Sequence, residues 1–213
     1  MLMNLESMQW DEEILELLDI PKKILPQIRS SSEVYAKTRT VYEGVPVAGD
    51  LGDQQAALFG QVCFDPGEAK NTYGTGCFIV MNTGNIAVES KNGLLTTVGW
   101  KLNGEITYAL EGSVFVAGAI VQWLRDQLGI IENAADIEKL ALEVSDNGGV
   151  TLMPTLSGMG APYWDQNARG GILGITRGTN RSHIARAALE SIAIRTLEVI
   201  KVMNQDSGAP IRE

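Results

Sequence analysis

The stretch from Ala69 to Leu110 constrains this chain most, because four extended runs are separated there by turns that reverse a strand. Ala69–Tyr73 and Cys77–Asn82 flank Gly74-Thr75-Gly76, and Leu94–Trp100 and Glu105–Leu110 flank Asn103-Gly104. Glycine enters positive φ without steric cost, and Asn-Gly suits the tight turn whose twist matches two antiparallel strands. The expectation is a curled, mostly antiparallel sheet inside an α/β domain. A short strand at Val45–Ala48 and a glycine-bounded turn, Gly49–Asp53, feed a helix over Gln54–Phe59 just before it.

Helical patterns flank the hairpins. Ser113 can cap a helix through Val114–Leu128, apolar on most sides and ended by Gly129. A polar helix is expected over Ala135–Val144, strands at Val150–Pro154 and Ile172–Ile175, and a long amphipathic helix from Asn180 or Ser182 to about Met203. Ala209-Pro210-Ile211 reads as a strand beginning. The first 45 or so residues differ, with a short amphipathic helix over Asp11–Leu18, ended by the approach to Pro21, and extended pieces at Val34-Tyr35 and Thr38–Tyr42. The spacing therefore predicts two parts, residues 1–45 as the tail of one domain and 46–213 as a second.

Charge narrows the function classes. Among 213 residues, 17 Lys and Arg stand against 26 Asp and Glu, a net charge of −9. No general basic surface is available for nucleic acid or an anionic membrane, so an anionic ligand must be held locally. The longest apolar segment, Val114–Leu124, is too short to cross a bilayer. Cys63 and Cys77 lack the spacing of a disulfide framework or a zinc site, and Met1–Glu6 lacks a secretory pattern, so a cytoplasmic location is expected. No His/Ser/Asp grouping, dinucleotide fingerprint or metal cluster is visible.

Asp53 is the strongest chemical candidate. A carboxylate in a glycine-bounded corner between strand and helix can take a proton from a substrate hydroxyl or hold magnesium through water; it can equally cap the helix. Gln54 beside it offers a donor and an acceptor to a second hydroxyl. Gly74-Thr75-Gly76 can cradle a phosphate on backbone N–H groups with the Thr75 hydroxyl, or be an ordinary hairpin. Gly118 and Gln122 lie four apart on one helix face, where a ligand or a neighbouring element can approach the glycine. His183 reads as a helix-end residue, and Pro162–Asp165 as a loop docked by its aromatic side chains.

The order of the segments GDQQAALFGQ (Gly52–Gln61), KNTYGTGCFIVMNTG (Lys70–Gly84), ALEGSVFVAGAIVQWLRD (Ala109–Asp126) and GMGAPYWDQNARGGILGITRG (Gly158–Gly178) resembles the FGGY family of carbohydrate kinases. The likeness covers essentially the whole chain and favours the branch that phosphorylates glycerol over those acting on xylulose or gluconate. It implies an actin-like ATPase fold of RNase H-like α/β domains, here mostly the carboxy-terminal domain with the tail of the amino-terminal one. It also implies transfer of the γ-phosphoryl group of ATP to glycerol with magnesium. Residue by residue, it makes Asp53 the catalytic base and a magnesium contact, places Asp53, Gln54 and Phe78 at the glycerol, and gives Thr75, Gly118 and Gln122 to the nucleotide. The family's amino-terminal phosphate hairpin and its Asp-Gly-Gly adenosine segment have no counterpart here, so an internal fragment of a homo-oligomeric enzyme is expected, not active alone. A non-catalytic interaction module of the same fold is the alternative.

Overall fold

A computed structural model describes residues 2–212. The chain opens with two minimal paired strands, β1 (Met3–Asn4) and β2 (Gln9–Trp10), and a short helix, α1 (Glu12–Leu17). Asp11 caps α1 by taking the Ile14 N–H at 3.1 Å, which satisfies a donor the helix cannot satisfy itself. β3 (Ser32–Lys37) and β4 (Pro46–Gly49) then form a hairpin. The extended piece expected over Thr38–Tyr42 is instead its connection: the Gly44 N–H meets the Thr38 carbonyl at 2.9 Å, and Tyr42 adopts a φ of 62°. Strand pairing ends at Lys37 opposite Pro46, with one further bond from the Thr38 N–H to the Val45 carbonyl at 2.9 Å before the chain turns.

α2 (Asp53–Gly60) precedes the central sheet of β5 (Ala69–Tyr73), β6 (Cys77–Gly84), β7 (Leu95–Leu102) and β8 (Glu105–Val114). The spatial order is β5-β6-β8-β7 with every pair antiparallel, as the two turn signals require. Beyond it come α3 (Gly118–Asp126), α4 (Asp136–Ala141), the antiparallel pair β9 (Thr151–Met153) and β10 (Gly171–Leu173), and α5 (Arg181–Ser207). Alternation along the strands divides the sheet into two working faces. On one, Val80 and Ala109 pack with Trp100, Cys63 and Leu58 of α2. On the other, Cys77, Ile79, Met81, Leu110 and Val114 meet Val199 and Met203 of α5.

Ser113 does not cap a helix. β8 continues through Val114, with Ser113 opposite Phe78 and Val114 opposite Cys77, and α3 starts only at Gly118. A continuous apolar run reads alike as buried strand or buried helix, and long-range pairing with β6 decides in favour of strand. α5 runs past Met203 to Ser207, capped by the Asn180 side chain and ended by Gly208 at a φ of 72°. The strand expected at Ala209–Ile211 reduces to a single bridge between Arg212 and Glu68. A third core cluster joins α3, α4, β9 and α5, where Ala185, Ala187 and Ala188 are buried. Both cysteines are free and buried, and among the described residues no helix is long and apolar enough to cross a membrane.

Candidate active site

Asp53 is the first residue of α2 and is exposed; the N-cap position belongs to Gly52. Its carboxylate therefore does not cap the helix by reaching the second or third N–H. Instead Oδ1 accepts the Gln54 N–H at 2.9 Å and Oδ2 accepts the Gln54 side-chain amide at 3.3 Å. A negative charge at this end is favoured by the helix dipole. The remaining lone pairs of the carboxylate face solvent, available to a hydroxyl donor.

Behind this pair stands a residue for which the sequence reading provided no role. Lys70 of β5 is only 6% exposed, and its ammonium donates to Gln54 Oε1, to Thr72 Oγ1 at 3.0 Å and to the Phe78 carbonyl at 3.2 Å. Burial pushes its pKa below the ordinary lysine value, while the charges of Glu111 and Asp53 pull it back up. Among the described residues no carboxylate lies within ion-pairing distance of it. Alternation carried a signal: Lys70 and Thr72 share a face, and Thr72 pairs with Phe78, whose neighbour Ser113 pairs on from β8. Glu111, two residues before Ser113 and bonded to its hydroxyl at 3.2 Å, belongs to the same face. Asp53, Gln54 and Phe78 are thus gathered where α2 meets β5 and β6.

The tip of the β5–β6 hairpin joins the second group of candidates. Gly74 folds back on Gly76 through an N–H to carbonyl bond of 2.8 Å, and the tip's carbonyls then cap α3. Thr75 O accepts the Ala117 and Ala119 N–H groups at 2.8 and 3.1 Å, and Gly74 O accepts that of Gly118 at 2.9 Å. Both glycines are required by close approach: a Cβ on Gly76 would stand 2.3 Å from the Val114 carbonyl, and one on Gly118 2.6 Å from the Gly74 carbonyl. The Thr75 and Gly76 N–H groups donate to no acceptor among the described residues, and the Thr75 hydroxyl is exposed. The Thr75 N–H and hydroxyl, on the exposed residue of the tip, suit a phosphate oxygen, whereas Gly76 is buried. Gln122, exposed one turn beyond Gly118, extends the same surface.

Other features are structural. His183 completes a capping box with Asn180, accepting its N–H at 3.2 Å on Nδ1. Trp164 docks its loop by an indole N–H to the Gly93 carbonyl at 2.6 Å and by edge contact with Phe115, ring centroids 5.9 Å apart. A hollow of about 950 Å³ is lined by residues such as Trp10, Pro26, Arg29 and Lys101, and includes none of the candidates. The site is recognised by its converging polar groups, not by volume. Among the described residues no group of three His, Cys, Asp or Glu could hold a metal ion alone.

The description of the FGGY family of carbohydrate kinases, C-terminal domain, matches residues 69–213, and its N-terminal domain matches residues 1–60. The chain is 62% identical over 213 residues to "Glycerol kinase 2" of Thermotoga maritima, covering 99% of this chain and 43% of that protein. It is 58% identical over 214 residues to "Glycerol kinase" of Clostridium botulinum, covering 100% of this chain and 43% of that protein. The chain thus spans about 43% of the length of the curated relatives it matches. A crystal structure of Plasmodium falciparum glycerol kinase with ADP superposes with a TM-score of 0.89 at 38% identity, over 99% of this chain and 43% of that one. Ligand-bound xylulose kinase from Lactobacillus acidophilus, at 24% identity and a TM-score of 0.83 over 98% of this chain and 44% of that one, shares the fold. The actin-like ATPase fold expected from the sequence is the one observed, and the chain belongs to the FGGY family of carbohydrate kinases.

Proposed function

We propose that the chain forms the carboxy-terminal side of a glycerol kinase, made of its carboxy-terminal domain and the tail of its amino-terminal one. The whole enzyme transfers the γ-phosphoryl group of ATP to the 3-hydroxyl of glycerol. The observation that carries this reading is a single hairpin, β5–β6, that ties a hydroxyl-facing carboxylate to a phosphate-facing tip. Lys70 on its first strand, held by the Phe78 carbonyl of the second, bonds to Gln54 beside Asp53, and its Gly74-Thr75-Gly76 tip seats on α3. The identity to proteins named glycerol kinase supports glycerol over other polyols.

In this reading Asp53 accepts the proton of the attacking hydroxyl as its oxygen bonds to the γ-phosphorus and the bond to the ADP oxygen breaks. Gln54 and Phe78 position glycerol; Thr75, Gly118 and Gln122 position the nucleotide. Phosphoryl transfer asks a protein chiefly for alignment and charge stabilisation, which neutral donors at the hairpin tip supply in an acidic chain. One solvent-facing carboxylate fits a magnesium ion held mainly by nucleotide phosphates, with Asp53 reaching it through water. Magnesium would neutralise charge on the transferring phosphate.

Replacing Asp53 by Asn in the whole kinase tests the assignment. Turnover falls by roughly 10²–10⁴-fold, the usual worth of a general base, while ATP affinity and melting temperature hold, because Asp53 is exposed and Gly52 holds the N-cap position. Retained turnover would remove Asp53 from the chemistry. The 213-residue chain alone is expected to show no glycerol-dependent ATP turnover.

A further inference from the structure

We propose that Lys70 is a positioning residue for the polyol: it sets which way the Gln54 amide faces and thereby turns Asp53 and Gln54 into a one-way pair, acceptor beside donor. This rests on the glycerol kinase reading for the identity of the polyol, but its first step does not. An ammonium has three N–H donors and no acceptor. Lys70 finds three acceptors, Gln54 Oε1, Thr72 Oγ1 and the Phe78 carbonyl. Only the oxygen of the Gln54 amide can face it, so the NH₂ must face away, toward Asp53 Oδ2 at 3.3 Å.

Two consequences follow for recognition. Lys70 engages a lone pair of Gln54 Oε1 on the buried side, so what Gln54 presents beside Asp53 is its NH₂, the donor half of the donor and acceptor that the sequence offered. Asp53, ionised, only accepts. The pair therefore reads adjacent hydroxyls in one sense: one donates its proton to Asp53, and the oxygen of the next accepts from the second Gln54 N–H. A polyol meeting the pair in the reverse order leaves a donor and an acceptor unmatched, the kind of mismatch that discriminates strongly in a closed site.

Lys70 itself does not touch substrate in this scheme. Its three protons are engaged and its side chain is buried under Gln54. The neutrality of all three partners is informative. A lysine buried for stability alone would sit against a carboxylate, since an unpaired buried charge is costly. Here the nearest negative charge on α2 is Asp53, beyond the amide, so the amide carries the lysine's polarity toward the carboxylate.

The test uses Lys70→Met, which keeps a straight chain of similar length without the charge. In the 213-residue chain, nuclear magnetic resonance follows the Gln54 side chain, assigned by its loss in Gln54→Met. The expected result is an upfield move of the Gln54 amide carbonyl carbon and faster exchange of its NH₂ protons. Unchanged Gln54 signals in a folded Lys70→Met chain overturn the proposal. In the whole kinase, calorimetry should show glycerol affinity lowered about tenfold by Lys70→Met, ADP affinity unchanged, and the double variant Lys70→Met/Gln54→Met no worse than the weaker single variant. Multiplying losses, or equal losses for glycerol and ADP, overturn it by making Lys70 a support of the fold. Should Lys70→Met not fold, Gln54→Glu keeps an acceptor for Lys70 while removing the NH₂ donor; undiminished glycerol affinity in that variant also overturns the proposal. If the unaltered kinase binds no glycerol, the function reading fails, and the Gln54 signals still decide the role of Lys70.

Discussion

Gly118→Ala tests whether the hairpin tip and α3 form one unit. The new Cβ would stand 2.6 Å from the Gly74 carbonyl oxygen, a backbone atom, against about 3.4 Å for ordinary contact. Restoring contact requires the tip and the helix to part by roughly 0.8 Å, the difference between those two distances. Three bonds cross that seam, at 2.8, 2.9 and 3.1 Å, and none can stretch so far and remain a hydrogen bond of normal geometry. At about 1 kcal/mol net each, their loss approaches 3 kcal/mol, against a gain of roughly 0.5–1 kcal/mol for Ala over Gly in a helix. The net loss of about 2 kcal/mol corresponds to a melting temperature lower by roughly 4–8 °C for a chain of this size. Gly60→Ala is the matched control: it makes the same change in α2, where a Cβ meets nothing within 4 Å, and should raise the melting temperature slightly. Thermal unfolding followed by circular dichroism reads both. A Gly118→Ala chain as stable as the unaltered one would refute the account of α3 capped by the hairpin carbonyls.

Two further outcomes test the fold around the site. Arg195 is buried, donates to Glu198 and to the Ala161 carbonyl at 2.9 Å, and lies 5.2 Å from the centre of the Tyr163 ring. Arg195→Met, which keeps volume but orphans both acceptors, should lose about 2–3 kcal/mol in urea titration and alter Trp164 fluorescence as its loop loosens. Burial raises the Asp206 carboxyl, but donations from Ser90, Asn92 and the Lys91 and Asn92 N–H groups outweigh it and hold the pKa below its ordinary 3.8. A depressed folded pKa means stability present above the unfolded value and lost as pH falls through the lower folded one. The stability gap between the unaltered chain and Asp206→Ala should therefore be full at neutral pH and shrink below about pH 4, measured by urea unfolding at stepped pH.

What could be read in advance divides along physical lines. Both central hairpins were legible, because Gly74-Thr75-Gly76 and Asn103-Gly104 impose their turns locally and observed pairing runs from Tyr73–Cys77 and from Leu102–Glu105 outward. Asp53 was legible as the corner of a strand and a helix. The end of β8 was not, because Ser113 and Val114 are decided by partners in β6 more than thirty residues away in sequence, and the local capping signal at Ser113 has no access to that pairing. Lys70 escaped for the same reason. On its own it is a charged residue in a strand; its meaning depends on Gln54, sixteen residues earlier on another element.

The sheet shows why the chemistry collects where it does. One face is closed by α5 with aliphatic side chains, Ile79, Met81, Leu110, Val199 and Met203. The other is covered by the short α2, whose eight residues reach only part of the strands. Under its carboxy-terminal half the packing is apolar, around Leu58, Val80 and Trp100. At its amino-terminal end the cover stops, and the same face turns polar at Lys70, Thr72, Glu111 and Ser113. A buried ammonium is tolerable at that margin because a helix start contributes an amide to meet it, with the Asp53 carboxylate beyond the amide, whereas deeper under the helix it would face only carbon. The position of the site follows from where a short helix ends on a long sheet. Moving the start of α2 by one turn would separate Gln54 from Lys70 and remove the polar pair while leaving the apolar core intact.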